Sequence, residues 1–354
     1  MGEAARTYRV VQWATGNIGT RSLRAVIEHP RMQLAGLYVS TPEKAGLDAA
    51  RLAERDVGFT GAIADTGVLS TSNVDEIVAL DADCVLYMRQ GIDHDEVCRL
   101  LASGKNIVTT RGEFHHPRTM DPVVRQRIEN ACRAGNTSIY STGSSPGFST
   151  EAMILPLLSL QRRLDCLTID EYADMTSRNS PDMIFNVLGF GMPPGAFDQA
   201  KVDYVKHDFA ASLAQIADAI GLSFDRVEAM GEMSAARSTA RIAAGVIEKG
   251  TVGALRITVS GMRGDRPLLR FRANWYCTSD IEHDWGLRES GWRVRVEGDT
   301  PLDVSIGFPC TLEDYPGITP GFTAHRAVNA VPAVCEAPPG IRTTVDLPQI
   351  IATF

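Results

Sequence analysis

The sequence predicts an α/β protein in two parts. The first is an N-terminal Rossmann domain with a doubly wound parallel sheet; the second is an α+β domain with a largely antiparallel sheet. Three observations carry this. Residues 8–24, YRVVQWATGNIGTRSLR, run from an apolar stretch through a small-residue turn into a helical pattern at Leu23, Val26 and Ile27. Strand-like and helix-like runs then alternate as far as Tyr140, the mark of βαβ crossovers and a parallel sheet. After Gly147 the runs lengthen and alternate in polarity, as strands with one wetter face do.

The elements follow in order. Val10–Trp13 is the first strand, Met32–Ser40 a second, buried one, and a loop with a short helix leads through Lys44 to Ala53. Asp75–Leu80 predicts a short helix, Asp83–Tyr87 (DCVLY) a central strand, Asp93–Ser103 a helix and Asn106–Thr110 (NIVTT) another strand. Pro122–Ala134 carries an apolar stripe at Val124, Ile128 and Ala131 and leads to a strand at Thr137–Tyr140. Beyond it, Ser149–Leu160, Met183–Leu188 and Phe209–Ile220 predict helices. Cys166–Tyr172 reads as a strand. From about Arg237 come the β-like runs Ala254–Gly261, Leu268–Cys277, Trp292–Glu297 and Leu302–Phe308. Thr323–Glu336 returns to helical spacing, with Pro332 expected to kink or end it. The expected domains are residues 1–147, 148–322, and a tail at 323–354 that packs back on the first.

Ala14-Thr15-Gly16-Asn17-Ile18-Gly19 has the context of a dinucleotide fingerprint: strand before, helix after, small residues where a pyrophosphate must approach backbone amides. Ala14 stands where the first glycine is usual. An NAD-binding second strand ends in an acid that holds the ribose hydroxyls. Here the strand ends Val39-Ser40-Thr41-Pro42, with no carboxylate before Glu43. Ser40, Thr41 and Lys44 suit a 2′-phosphate, so NADP (NADPH) is the expected cofactor and NAD the alternative. The same residues also read as a helix cap with Lys44 in solvent.

Ligands in such sheets bind beyond the carboxyl ends of the strands. That places Met88 and Arg89, Thr110, and the small-residue loop with Gly143, Ser145 and Pro146 among the expected cofactor contacts. Arg89 also reads as a solvated turn residue, and the loop as an interdomain hinge. Glu113, just past a strand end, is the candidate general acid/base; a salt bridge to Arg111 is its plainer reading. His115 and His116 are adjacent and would point apart, one into the cleft and one into solvent, with no third ligand, so no metal is expected. Phe148, Tyr172, Met175 and Thr323 are the candidate substrate-pocket residues, each equally an ordinary core residue. His207, His283 and Arg326 are weaker candidates.

Composition narrows the class. A chain of 354 residues, 44% hydrophobic and 22% charged, has room for about two cores. A net charge of −8 without a basic run speaks against nucleic acid. No apolar stretch approaches a membrane span, and Met1–Arg6 lacks a signal-peptide core. The seven scattered cysteines form no CxxC pair and read as reduced thiols, so the expectation is a cytoplasmic protein.

WATGNIG (13–19), NIVTT with Glu113 behind it, TGSSPGF (142–148) and AHRAVNAVPAVCEAPPG (324–340) together resemble the dihydrodipicolinate reductase-like group. Within it, the likeness is to 2,4-diaminopentanoate dehydrogenases and the related native amine dehydrogenases, and it runs over essentially the whole chain. The resemblance implies a Rossmann domain, a substrate and dimerisation domain, a homodimer, and NAD(P)-linked interconversion of amines and ketones. It places the family's catalytic glutamate on Glu113. Two departures stand out. The pair His115-His116 precedes the interdomain strand, whereas true dihydrodipicolinate reductases carry theirs after it with a lysine. Ser145 stands where family members often have asparagine.

The expected function is therefore amine dehydrogenation: reversible reductive amination, with ammonia, of a ketone or aldehyde lacking a carboxylate, assisted by Glu113. No basic residue stands out for a substrate carboxylate. The alternatives are an NAD(P)H-dependent imine or carbonyl reductase and a non-catalytic NADP-binding redox sensor.

Overall fold

The computed structural model describes residues 6–57, 59–195 and 197–354. Of the Met1–Arg6 segment read above for a signal peptide, all but Arg6 lies outside these residues. The chain divides into two compact units, residues 1–148 with 317–354, and residues 149–316.

The first unit opens with β1 (Tyr8–Trp13), α1 (Asn17–Glu28) and β2 (Met32–Tyr38), followed by α2 (Ala49–Ala53), β3 (Ser70–Thr71) and α3 (Val74–Ala79). Next come β4 (Cys84–Tyr87), α4 (His94–Ala102), β5 (Asn106–Thr109), α5 (Pro122–Gly135) and β6 (Ser138–Ser141). The second unit holds α6 (Ile154–Leu158), β7 (Leu164–Asp174), α7 (Gln199–Ala219), β8 (Arg226–Ala235), β9 (Ala240–Ile242) and β10 (Gly245–Ile247). It continues with β11 (Val252–Arg263), β12 (Arg266–Tyr276), β13 (Gly291–Gly298) and β14 (Leu302–Gly307). Helix α8 (Tyr315–Glu336) then leads back to the first unit, which ends with β15 (Gly340–Arg342).

The first sheet has seven strands in the order β15-β6-β5-β4-β1-β2-β3, every pair parallel. Alternate residues bury on opposite faces, which is why its strands read as unbroken apolar runs. Val10, Leu86, Val108 and Tyr140 pack under α8 through Ala327, Val328, Val331 and Val334. Val11, Val85, Ile107 and Ile139 face α4 and α5 through Val97, Leu100, Leu101 and Ile128. DCVLY is central, as its two buried faces suggest. Pro332 does not end α8, which continues to Glu336. The contacts of Val331 and Val334 with the sheet hold the turn on either side of it, and Ser138 Oγ donates to the Val334 carbonyl at 2.6 Å.

The second sheet runs β14-β13-β7-β12-β11-β8 and is antiparallel except for the β7–β12 pair. One face packs against α7, with Phe209 stacked on Phe271 at 3.5 Å between ring centroids. Three elements differ from their sequence pattern. Helix α7 begins at Gln199, ten residues before the apolar run at Phe209 and capped by Asp198, because Val202 and Val205 alone anchor its polar first turns. Strand β8 (RVEAMGEMSA) was not apparent, since Glu, Ala, Met and Gly are weak strand formers. The expected helix at Ser149–Leu160 forms, but as a wide π-helical segment through Ala152 followed by α6, and it is entered through a kink at Ser145–Gly147 with Gly147 at φ +123°.

Candidate cofactor and catalytic site

The fingerprint turn is built by close packing. Ala14 leaves β1 at φ +74°, a left-handed conformation that L-residues avoid. The buried Gln12 side chain braces it, Nε2 donating to the Ala14 carbonyl at 3.0 Å. Gly19 faces that carbonyl with no space for a Cβ, whereas the space over Gly16 is open for 4 Å. Helix α1 begins at Asn17 with no acidic residue in its first turn, so its free amides and dipole face that open space.

A cavity of about 650 Å³ lies over this turn. Its wall holds Ala14, Thr15, Gly16, Asn17 and Ile18 from the fingerprint, Ser40, Thr41 and Lys44 after β2, Met88 and Arg89 after β4, and Thr110 after β5. Gly19 lies behind the turn, and Gly143, Ser145 and Pro146 are not part of this wall. Gln90 and Arg111 are, and the sequence did not single them out for it. The loops after β1, β2, β4 and β5 meet at one cavity, as the strand-end rule predicts, whereas the loop after β6 does not line it.

The cap reading of Ser40 and Thr41 holds in position only. Thr41 precedes a single turn at Pro42–Lys44 but makes no side-chain cap bond. Lys44 is not in solvent: its Nζ donates to the Thr15 carbonyl at 3.1 Å and contacts Thr15 Oγ1 at 3.0 Å, tying the β2 loop to the fingerprint. Nor is Arg89 simply solvated. Its guanidinium reaches Glu96 Oε2 at 2.9 Å, and the Tyr87 hydroxyl donates to the same oxygen at 2.7 Å. Burial, and then the Glu96 carboxylate, hold the Tyr87 phenol well above its usual range.

Glu113 lies in a short helical turn, Gly112–Phe114, just past the end of β5. The salt bridge expected of it is present. Oε1 pairs with Arg111 at 3.0 Å, while Oε2 is buried with no hydrogen-bond partner among the described residues. Phe114 is fully buried and draws the chain inward. Neither histidine is therefore solvated, His115 and His116 being 3% and 7% exposed. Among the described residues no cluster of His, Cys, Asp or Glu is arranged to hold a metal.

The TGSSPGF loop is docked to α8: the Ser144 hydroxyl lies 2.8 Å from that of Thr323, so Thr323 clasps the loop. The Thr142 and Ser145 hydroxyls are buried without partners among the described residues. Phe148 is half-buried in the first unit. Tyr172 and Met175 belong to the second. Tyr172 lines a cavity of about 360 Å³ with Arg288, Trp292, Arg293 and Ser305. Met175 packs instead in an apolar cluster with Ile184 and Phe190. Arginines thus stand near Tyr172 that sequence spacing could not reveal, although Arg293 is already forked onto Asp303. His207 and His283 are exposed, and Arg326 bonds the Ile350 carbonyl at 3.3 Å. All seven cysteines are free thiols. Among the described residues no helix is long and apolar enough to cross a membrane.

Residues 182–354 match the family described as 2,4-diaminopentanoate dehydrogenase C-terminal domain. The chain is 25% identical over 350 residues to an amine dehydrogenase from Streptomyces virginiae, covering 96% of this chain and 95% of the relative. Its fold is similar to that of the amine dehydrogenase from Mycobacterium smegmatis, with a TM-score of 0.70 at 18% identity over 98% of this chain and 97% of that one. GenD2 of gentamicin A biosynthesis, solved with NAD, shares the fold at a TM-score of 0.54 and 12% identity, over 98% and 92% of the two chains. Over nearly its whole length the chain is thus similar to amine dehydrogenases, and its residues 182–354 match the 2,4-diaminopentanoate dehydrogenase C-terminal domain.

Proposed function

We propose that the protein is an NADP-preferring amine dehydrogenase that reductively aminates a ketone or aldehyde lacking a carboxylate, reversibly and with ammonia. The observation that carries the reading is Glu113: one carboxylate oxygen is fixed by Arg111 and the other is buried without a partner among the described residues. A buried carboxylate oxygen left open in this way suits a cationic amine or iminium.

The residues present fit a dinucleotide. The open space over Gly16, the cavity of about 650 Å³ and the acid-free start of α1 suit a pyrophosphate and its nucleosides. Ser40, Thr41 and Lys44 would face the adenosine ribose, and the absence of a carboxylate at the end of β2 favours a 2′-phosphate there. The TGSSPGF loop, with its unpartnered Thr142 and Ser145 hydroxyls, suits the carboxamide. Bound in this way, the reduced nicotinamide supplies the hydride.

Glu113 holds ammonium, takes one proton from it and passes that proton to the carbonyl oxygen as the freed ammonia attacks, leaving a hydroxyl; it then takes the proton that leaves nitrogen. It returns that proton to the departing hydroxyl, which leaves as water, and its negative charge then stabilises the iminium. Arg111 orients the carboxylate and does not itself meet the substrate amine. Phe148, Tyr172, Met175 and Thr323 remain our candidates for the substrate side, Thr323 through the loop it clasps. We further infer a substrate and dimerisation role for the second unit, a homodimer, and a cytoplasmic location.

A panel of ketones, aldehydes and 2-oxo acids, each with NADPH and with or without ammonium, tests the reading. NADPH oxidation that requires ammonium and favours neutral carbonyls supports it. Oxidation that ignores ammonium would instead indicate an imine or carbonyl reductase, and no oxidation at all would revive a redox sensor.

A further inference from the structure

Beside the main cavity lies a smaller one of about 230 Å³ that shares the Thr15–Asn17 turn and Lys44 with it and is bounded by Thr20, Arg55 and Asp56. Its wall is electropositive. The Asp56 carboxylate is almost fully shielded and lies 2.6 Å from Arg21 Nε and 3.5 Å from Arg24, so its charge is already neutralised. Lys44 is held in place by its two contacts with Thr15. Arg55, just past the end of α2, is different. Its side chain is exposed and makes no ion pair or side-chain hydrogen bond among the described residues. A fixed ammonium and an unengaged guanidinium face one small cavity, beside the turn expected to hold the cofactor phosphates.

We propose that this smaller cavity seats the 2′-phosphate of NADP between Lys44 and Arg55, so that Arg55 sets cofactor choice from outside the segment that follows β2. The inference rests on the nicotinamide-cofactor reading above. A phosphate monoester differs from the ribose hydroxyl of NAD chiefly in charge, and a guanidinium fork binds it with direction as well as attraction. The signal was hidden in the sequence because Arg55 lies fifteen residues beyond Ser40 and is brought to the turn only by α2.

The test is Arg55→Gln, an exposed substitution outside the core, with direct binding titrations of NADPH, NADH, 2′,5′-ADP and inorganic phosphate. The parent should bind 2′,5′-ADP far more tightly than inorganic phosphate. The variant should lose about tenfold or more in affinity for NADPH and 2′,5′-ADP, with NADH changed by less than about twofold, as expected for one charge-assisted contact. A variant that keeps the full preference for NADPH over NADH overturns the seat and leaves the cofactor reading standing. A parent that binds both dinucleotides equally overturns the seat and the NADP preference together. A parent that binds neither overturns the cofactor reading itself. Inorganic phosphate binding as tightly as 2′,5′-ADP would mark a free-anion site and overturn the assignment to the cofactor.

Discussion

Gly19 packs so closely beneath Ala14 that a methyl group on it would lie 2.3 Å from the Ala14 carbonyl oxygen. The end of β1 and the start of α1 are thereby locked, and with them the amides offered to a phosphate. Gly19→Ala must push the turn apart. It is expected to destabilise the protein by about 1–3 kcal/mol, the usual range for overpacking, and to weaken NADPH binding strongly. Thermal unfolding with and without NADPH checks both effects.

Ala14 holds φ +74° without the freedom of glycine. That conformation costs an L-residue about 1–2 kcal/mol, against which glycine loses roughly 0.5–1 kcal/mol more chain entropy on folding. Ala14→Gly should therefore leave stability unchanged or raise it by up to about 1 kcal/mol, with NADPH affinity retained. Denaturant unfolding decides; a clear loss of stability would show that the methyl group matters more through its packing than through its strain.

Ser40→Asp places a carboxylate where NAD-binding chains carry one, on the wall shared with Lys44. NADPH affinity should fall about tenfold or more by repulsion of the 2′-phosphate, while NADH affinity holds or improves. Binding isotherms for the two dinucleotides measure this. An unchanged NADPH affinity would move the 2′-phosphate away from the β2 loop.

His29 caps the end of α1, and its Nδ1 accepts the Arg31 amide at 3.1 Å. Burial, and then Arg31, hold its pKa below the usual value. The sign follows directly. With the folded pKa below the unfolded one, the unfolded chain takes up the proton first as pH falls through about 6.5, so stability is lost on acidification. His29→Asn should flatten the slope of Tm between about pH 7 and pH 5, the window set by the unfolded pKa. An identical slope in the variant would remove His29 from the acid response.

Much of the fold was legible because parallel strands buried on both faces leave apolar runs, as in DCVLY and NIVTT. The fingerprint was legible because a ligand's approach requires small residues. What escaped was long-range. Gln12 reads as a polar interruption of a strand, and only the folded turn shows it bracing Ala14. The ion pair of Arg89 with Glu96, and the placing of Arg55 and Lys44 on the wall of one cavity, depend on how helices bring residues together. Pro332 carried a real local preference against helix, which burial of Val331 and Val334 outweighs. Strand β8 alternates only weakly in character, because its inner face is built mostly of small residues, among them Gly231, which leaves space for the ring of Phe197.

Glu113→Ala tests the central claim most directly, read as ammonium-dependent NADPH oxidation with a neutral carbonyl alongside NADPH binding. Turnover should be abolished while NADPH affinity stays close to that of the parent. Full turnover in this variant would contradict the account.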